Sequence, residues 1–417
     1  MAKPKVAIIL PADWWDQSYS LCSVVENQLR GFVKNGYTPI IVTLQKFRGD
    51  IPVPGIEHRK ALPMLNLVDY SNNRELHKDF EQDVGHIKRA LEESLSDVTH
   101  VITHDLIFQG WFLPHNVACR RANLNVKWLH WIHSAPAPTD MEKYPFDHFQ
   151  FLKPNETLIY LNEIDLVKAA EKYHVLPSRV RCVPNSIDLR TFGGLHPFTE
   201  YLIDRFDLFS ADVLSVYPLS STRMVDGKQV HKAVKVHEKL KKLYGIKTKF
   251  IIANAHANAQ KEKQTIEELQ AKFLDWGLSP EEVIFTSIQK TPEYELGVPR
   301  KVVSDLFRMS NLFVFPSISE NCSLVLLEAA LSGNLCALNK NFLPMRAQLG
   351  NLAHYFEFSS LTENVQYQNE EGYYEDVAKI MWDSLQKNNA LMSKMHIQKN
   401  FNLDYLFRHK IEGLLYE

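Results

Sequence analysis

The chain has 417 residues, of which 45% are apolar and 23% charged, so it is long enough for two buried cores and too apolar to be disordered. Lys and Arg number 47 against 49 Asp and Glu, a formal charge of -2, which excludes a strong overall field drawing it to nucleic acid or anionic lipid. Five cysteines, an odd number with no CxxC spacing, read as reduced thiols in a cytoplasmic protein rather than as a disulfide framework.

Residues 6–10 read as a first strand, because Pro11 and Asp13 cut the apolar run too early for a signal peptide. No stretch approaches the ~18 consecutive apolar residues of a membrane span, so no integral membrane segment is expected. A loop over 11–20 leads into a helix at 21–35 closed by Gly36, then a strand at 38–43. Val84, Ile87, Leu91 and Leu95 recur at helical spacing within 79–96, and a strand at 98–103 runs into His104-Asp105. Further strands are expected at 126–130, 157–161 and 179–183. Short β-branched runs alternating with helical periods imply a parallel sheet covered on both faces. Residues 187–208 contain Gly193-Gly194 and Pro197 without a clean period and read as an interdomain connection. A second alternation follows, with strands at 213–216, 249–253, 283–285, 312–315 and 335–337 and helices at 230–244 and 266–277.

The most informative stretch is Phe315-Pro-Ser-Ile-Ser-Glu-Asn-Cys-Ser-Leu-Val-Leu-Leu-Glu-Ala-Ala-Leu-Ser-Gly333, a strand end, a polar loop and a helix closed by glycine. The loop lies outside the carboxyl end of a parallel strand, where ligands bind in open α/β sheets. Ser323 and Leu324 are expected to offer free backbone N–H groups to a diphosphate at the helix N-terminus. Glu320 in the loop and Glu328 in the helix can meet one extended ligand at two separated points. A second constellation is Tyr217-Pro-Leu-Ser-Ser-Thr-Arg-Met-Val-Asp-Gly-Lys228, in which Arg223 and Lys228 lie between a strand and the next helix.

The Glu320 and Glu328 spacing, the flanking Pro316-Ser317 and Glu328-Ala-Ala-Leu-Ser-Gly333, and Val183-Pro-Asn-Ser-Ile-Asp-Leu-Arg-Thr-Phe192 together resemble glycosyltransferase family 4. These are retaining enzymes of GT-B architecture. The resemblance implies an α/β fold with two Rossmann-like, doubly wound domains facing across a cleft: an acceptor-side domain over 1–195, a nucleotide-sugar domain over 196–395, and a C-terminal helix over 396–417 crossing back to the first. It further implies that Glu320 holds donor-sugar hydroxyls, Glu328 the ribose, and Arg223 and Lys228 the diphosphate. Asn321, Cys322, Ser323, Leu324 and Gln289 would line the donor site, with base recognition near 287–290.

His133 is the first choice for a contact to the donor sugar or acceptor, the alternative being a satisfied structural histidine; His104 and Asp13 are further cleft candidates. His130 and His133 form an HxxH without a recognisable third ligand, so neither a metal nor any other cofactor is expected beside a UDP- or GDP-sugar substrate. The aromatics Trp128, Trp131, Tyr144, Phe146, Phe149 and Phe151 are either core or an acceptor lining. The sequence departs from the family in lacking a glycine-rich turn after its first strand, in Ser186 where a glycine is usual, and in Gly333-Asn-Leu-Cys336 where a proline turn is usual. The resemblance implies an acceptor that would be a carbohydrate, a lipid-linked sugar or a modified nucleic acid base. A nucleotide-sugar epimerase and a non-catalytic nucleotide-sugar-binding protein are the rival functions.

Overall fold

The computed structural model describes residues 3–16, 18–65, 68–71, 75–133, 143–150, 152–219, 227–253, 260–289, 292–318, 323–358 and 370–417. The chain divides into two compact units, Met1–Asp188 with Phe401–Glu417, and Leu189–Asn400.

Unit 1 is built on seven strands, β1 (Val6–Ile9), β2 (Ile40–Leu44), β3 (Glu57–Leu62), β4 (His100–His104), β5 (Lys127–Ile132), β6 (Glu156–Tyr160) and β7 (Val180–Cys182), in the order β3-β2-β1-β4-β5-β6-β7. All six pairings are parallel. β1 lies between β2 and β4, with Ile8 opposite Ile41 on one side and Ile102 on the other. Its four residues are all buried because helices cover both faces, which is why the strand reads as a continuous apolar run rather than an alternation. The winding reverses between β1 and β4, and such a reversal leaves a crevice outside the carboxyl ends of the strands. β3, with the charged sequence EHRKAL, carries no apolar run and is visible only in the structure; its charges suit an edge strand, where they discourage pairing with another chain.

The helix Ser20–Lys34 buries Cys22, Val25, Leu29 and Phe32 at helical spacing. Gly31 admits the C-terminal segment at close range: a Cβ there would lie 2.8 Å from Phe407 and 3.1 Å from Leu403. Phe407 packs edge-on against Phe32 at 5.1 Å between ring centres, and Ile411, Leu414 and Leu415 extend the same buried cluster. Ile187 exchanges backbone hydrogen bonds with Phe401 and Leu403 at 2.9 and 3.0 Å, tying the end of the chain to unit 1. Of the aromatic group singled out above, Trp128 and Trp131 in β5 and Phe146 and Phe149 after it are buried core residues, Tyr144 is exposed, and Phe151 lies outside the described residues.

Unit 2 contains two three-stranded parallel ribbons: β8 (Val213–Pro218), β9 (Thr248–Ala253) and β10 (Val283–Phe285) in the order β10-β9-β8, and β11 (Leu312–Phe315), β12 (Leu335–Asn339) and β13 (His354–Phe356) in the order β11-β12-β13. β8 and β11 run side by side without a regular ladder, and Asn311 joins them. Its N–H donates to Leu214 O (3.1 Å), its side-chain oxygen accepts from Leu214 N–H (3.0 Å), and its side-chain nitrogen donates to Asp212 O (2.9 Å). One residue further on, Ser215 Oγ donates to Leu312 O at 2.7 Å. The six strands thus follow the doubly wound order, reversing at β8/β11.

Residues 187–208, expected as a connection, contain the helix Pro197–Phe206, whose Phe198, Leu202, Ile203 and Phe206 enter the core of unit 2. Pro197 is compatible with this helix because it occupies the first turn, where its missing N–H has no intrahelical partner to lose. Among the described residues no helix is long and apolar enough to cross a membrane.

Asn311→Leu should lower the stability of unit 2 by about 2–5 kcal/mol, since Leu214 N–H and Asp212 C=O are left without partners inside the sheet. A urea titration checks this; a change within about 0.5 kcal/mol, typical of a surface site, would contradict the role given to Asn311.

Candidate functional site

In unit 2 the two constellations singled out from the sequence meet at the β8/β11 reversal. Gly227 O accepts from Ile318 N–H (3.0 Å) and from Ser317 Oγ (3.3 Å), so the loop after β8 is stitched to the chain leaving β11. The buried Tyr217 donates its hydroxyl to Lys228 O at 2.5 Å, and burial holds that phenol well above its ordinary pKa, so it stays a donor. Lys228 Nζ lies 5.7 Å from the centre of the Phe315 ring. On the other side of Ser317, Asn339 at the end of β12 donates to Ser317 O (3.3 Å) and accepts from Phe358 N–H (3.3 Å). The carboxyl ends of β8, β11 and β12 therefore carry one hydrogen-bonded network, with Lys228 inside it and Ser317-Ile318 leading toward residue 320. Arg223, Glu320, Asn321, Cys322 and Lys290 lie outside the described residues.

The helix Leu324–Leu331 is capped by Ser323, whose hydroxyl accepts from Leu326 N–H at 3.3 Å. The expectation of a free N–H at Ser323 is corrected: it donates to Gln348 Oε1 (3.2 Å), and Gln348 Nε2 returns a bond to Ser323 O (3.3 Å). Leu324 stands at the first helical position, where the N–H has no intrahelical acceptor, and its side chain is exposed. Glu328 receives Nε and Nη2 of Arg300 on its Oε1, at 3.0 and 2.7 Å. The Arg300 side chain is 82% exposed, so the pair contributes at most about 1 kcal/mol and exchanges readily for another partner.

Gln289 turns its side-chain nitrogen back to Phe285 O at 2.8 Å. Just before it, at the carboxyl end of β10, the hydroxyls of Thr286 and Ser287 are buried without a hydrogen-bond partner among the described residues. Buried orphan hydroxyls are uncommon and call for a ligand or water. Thr286 stood out in no sequence pattern, since a threonine after a strand is ordinary.

Unit 1 gathers a different group at its own reversal. His104, the last residue of β4, is buried, with Nδ1 2.8 Å from His133 Nε2 and Nε2 3.1 Å from Gln28 Oε1. Asp105 follows in the left-handed region at φ 52°, a conformation Asp tolerates better than most residues. Its N–H donates to Trp131 O (2.8 Å), and its carboxylate accepts from His133 N–H (2.7 Å) and Gln109 Nε2 (3.1 Å). Burial pushes His104 well below its ordinary pKa, reinforced by His133; burial also lowers His133, with Asp105 opposing. Gln28 was not anticipated; its one signal was a polar residue on the apolar face of an amphipathic helix.

Asp13 joins a different contact, pairing with Arg48 at 3.5 Å while Arg48 N–H donates to Asp13 O. His130 is buried with its Nδ1 2.7 Å from Thr103 Oγ1, so the HxxH does not act as a unit. No group of three His, Cys, Asp or Glu suited to a metal ion forms among the described residues.

No family model matches the chain, and no curated protein matches it. Similar solved structures include a glycosyltransferase from Rickettsia africae ESF-5, 16% identical with a TM-score of 0.36 and all of both chains covered. Trehalose-6-phosphate synthase OtsA is 12% identical with a TM-score of 0.39 and 99% of each chain covered. Anabaena HepE, in complex with UDP, is 11% identical with a TM-score of 0.34, covering 99% of this chain and 100% of its own.

His115, like His104, is buried, and burial lowers it to about 4. Each such histidine binds its proton more readily in the unfolded chain, so its contribution to stability is complete above about pH 6.5 and declines as pH falls toward the folded value. Stability should therefore drop between pH 6.5 and about 4, by up to about 1.4 kcal/mol per pH unit for each histidine involved. Denaturant titrations across this range test it: His104→Gln, which cannot charge, should flatten the slope, and an unchanged slope would contradict the assignment.

Proposed function

We propose that the chain is a metal-independent, retaining glycosyltransferase that moves a sugar from a UDP- or GDP-sugar to an acceptor hydroxyl. The observation that carries this reading is the junction at the β8/β11 reversal, where Gly227 O accepts from both Ser317 and Ile318. It ties the loop bearing Lys228 to the segment entering Glu320, in the position where parallel α/β sheets bind ligands.

Departure of the nucleoside diphosphate builds negative charge on its leaving oxygen. Lys228, with Arg223 from the same loop, is suited to stabilise that charge more in the transition state than in the ground state. These two cations and the amides at the start of the Leu324–Leu331 helix make a metal unnecessary in this reading. Glu320 would accept hydrogen bonds from the donor sugar's hydroxyls, with Asn321 and Cys322 beside it. Glu328 would exchange its exposed Arg300 partner for the ribose hydroxyls. The orphan hydroxyls of Thr286 and Ser287, beside Gln289, suit the polar edge of a nucleobase. In unit 1, His133 would contact the donor sugar or the acceptor. The leaving phosphate would help deprotonate the acceptor hydroxyl on the same face, which retains anomeric configuration. The acceptor class stays as broad as a carbohydrate, a lipid-linked sugar or a modified base. The cysteines described are unpaired, in keeping with a cytoplasmic setting.

A thermal-shift and hydrolysis screen of UDP-, GDP- and ADP-sugars tests the reading. One donor class should stabilise the wild type and be hydrolysed slowly without acceptor. Glu320→Ala, Arg223→Ala and Lys228→Ala should each lower kcat/KM by roughly 10- to 150-fold, the equivalent of one charge-assisted hydrogen bond of about 1.5–3 kcal/mol. Indifference of the wild type to every nucleotide and sugar nucleotide would overturn the proposal. Isomerised donor released without transfer would replace it with an epimerase.

A further inference from the structure

The hydrogen bonds around His104 have a direction. Gln28 presents its side-chain oxygen to His104 Nε2 at 3.1 Å, and an amide oxygen only accepts, so His104 carries its hydrogen on Nε2. A neutral imidazole has one N–H, so His104 Nδ1 is a lone pair, and the contact to His133 Nε2 at 2.8 Å requires His133 to be the donor. His133 in turn, if neutral, has its remaining lone pair on Nδ1. That atom has no hydrogen-bond partner among the described residues, and the ring is half-buried rather than enclosed. Burial opposes a charge on either ring, which keeps each to a single N–H.

The geometry is held from outside the rings as well. Asp105 binds the backbone N–H of His133 through its carboxylate and the carbonyl of Trp131 through its own N–H, locking the ends of β4 and β5 together. Gln28 is anchored in the helix Ser20–Lys34 and is almost fully buried. Three elements of unit 1 therefore converge to set which nitrogen of one half-buried histidine is bare.

We propose that His104 and Gln28 are positioning residues that hold His133 in its Nε2–H tautomer, so that its Nδ1 accepts a hydrogen bond from a substrate hydroxyl. A bare imidazole nitrogen attracts a donor and repels an acceptor-only group, so this position takes a hydroxyl of a sugar or acceptor and rejects a phosphate oxygen. The contact to substrate rests on the glycosyl-transfer reading above; the tautomer does not.

The test is nitrogen-15 NMR of histidine-labelled full-length protein, with His104→Gln and His133→Gln used for assignment. In the wild type at neutral pH, both rings should show a protonated Nε2 and a bare Nδ1. His104→Leu removes the acceptor and should leave His133 a mixture of tautomers, whereas His104→Gln, whose amide oxygen can accept the same hydrogen, should restore Nε2–H. Gln28→Leu should release the tautomer of His104. Transfer kcat should fall by roughly ten- to hundredfold in His104→Leu with donor KM little changed, and recover in His104→Gln. A wild-type His133 protonated on Nδ1, tautomers indifferent to both leucine substitutions, or mixed tautomers with unchanged kcat would each overturn the proposal. Tautomers as expected in a protein inert toward every nucleotide sugar would support the relay and sink the transferase reading alone.

Discussion

Asn311 stands where the sheet of unit 2 reverses its winding, and its side chain supplies the pairing that a regular ladder between β8 and β11 would otherwise provide. An open sheet that winds outward in both directions from one line leaves the loops above that line diverging, and the space between them is where a ligand enters. The seam must hold two ribbons at sheet distance without filling that space. A buried side-chain amide satisfying two backbone groups, beside a backbone bond from the same residue, does so, and Ser215 repeats the device one residue above. The network over the strand ends, from Lys228 through Gly227 and Ser317 to Asn339, depends on that spacing. With the seam loosened, Gly227 O and the chain after β11 would no longer meet at hydrogen-bond distance.

Unit 1 applies the same topology to a different chemical end. Its reversal between β1 and β4 carries His104, Gln28 and Asp105 rather than a lysine and a capped helix. Leaving buried polar groups unpaired is expensive, so each must find a partner, and the partners available give the group its direction. Under the proposed function, the cation of unit 2 is assigned to an anion and the imidazole lone pair of unit 1 to a hydroxyl. The C-terminal segment shows how the chain maintains unit 1 from a distance in sequence: Phe407 fits only because position 31 has no Cβ.

Periodicity in the sequence was enough to place both alternating sheets, because strands buried on both faces leave apolar runs and their covering helices leave 3.6-residue patterns. β3 escaped it, since an exposed edge tolerates charge, and the helix Pro197–Phe206 was hidden by two glycines that precede it and a proline in its first turn. The spacing of Glu320 and Glu328 and the basic loop ending at Lys228 mark candidate chemistry in the sequence alone, while Glu320 and Arg223 themselves lie outside the described residues.

What the sequence determined by itself was therefore composition-level and local: two α/β units, parallel strands, and motif residues grouped within single loops. What only the tertiary structure decided was pairing between distant residues: Gly227 with Ser317, Ser323 with Gln348, Glu328 with Arg300, and Gln28 with His104. The physical reason is that a hydrogen bond needs its atoms within about 3 Å and its donor aligned. Local periodicity sets which face of an element is apolar, but the distance and direction between two polar atoms far apart in the chain exist only once the sheets and helices have packed.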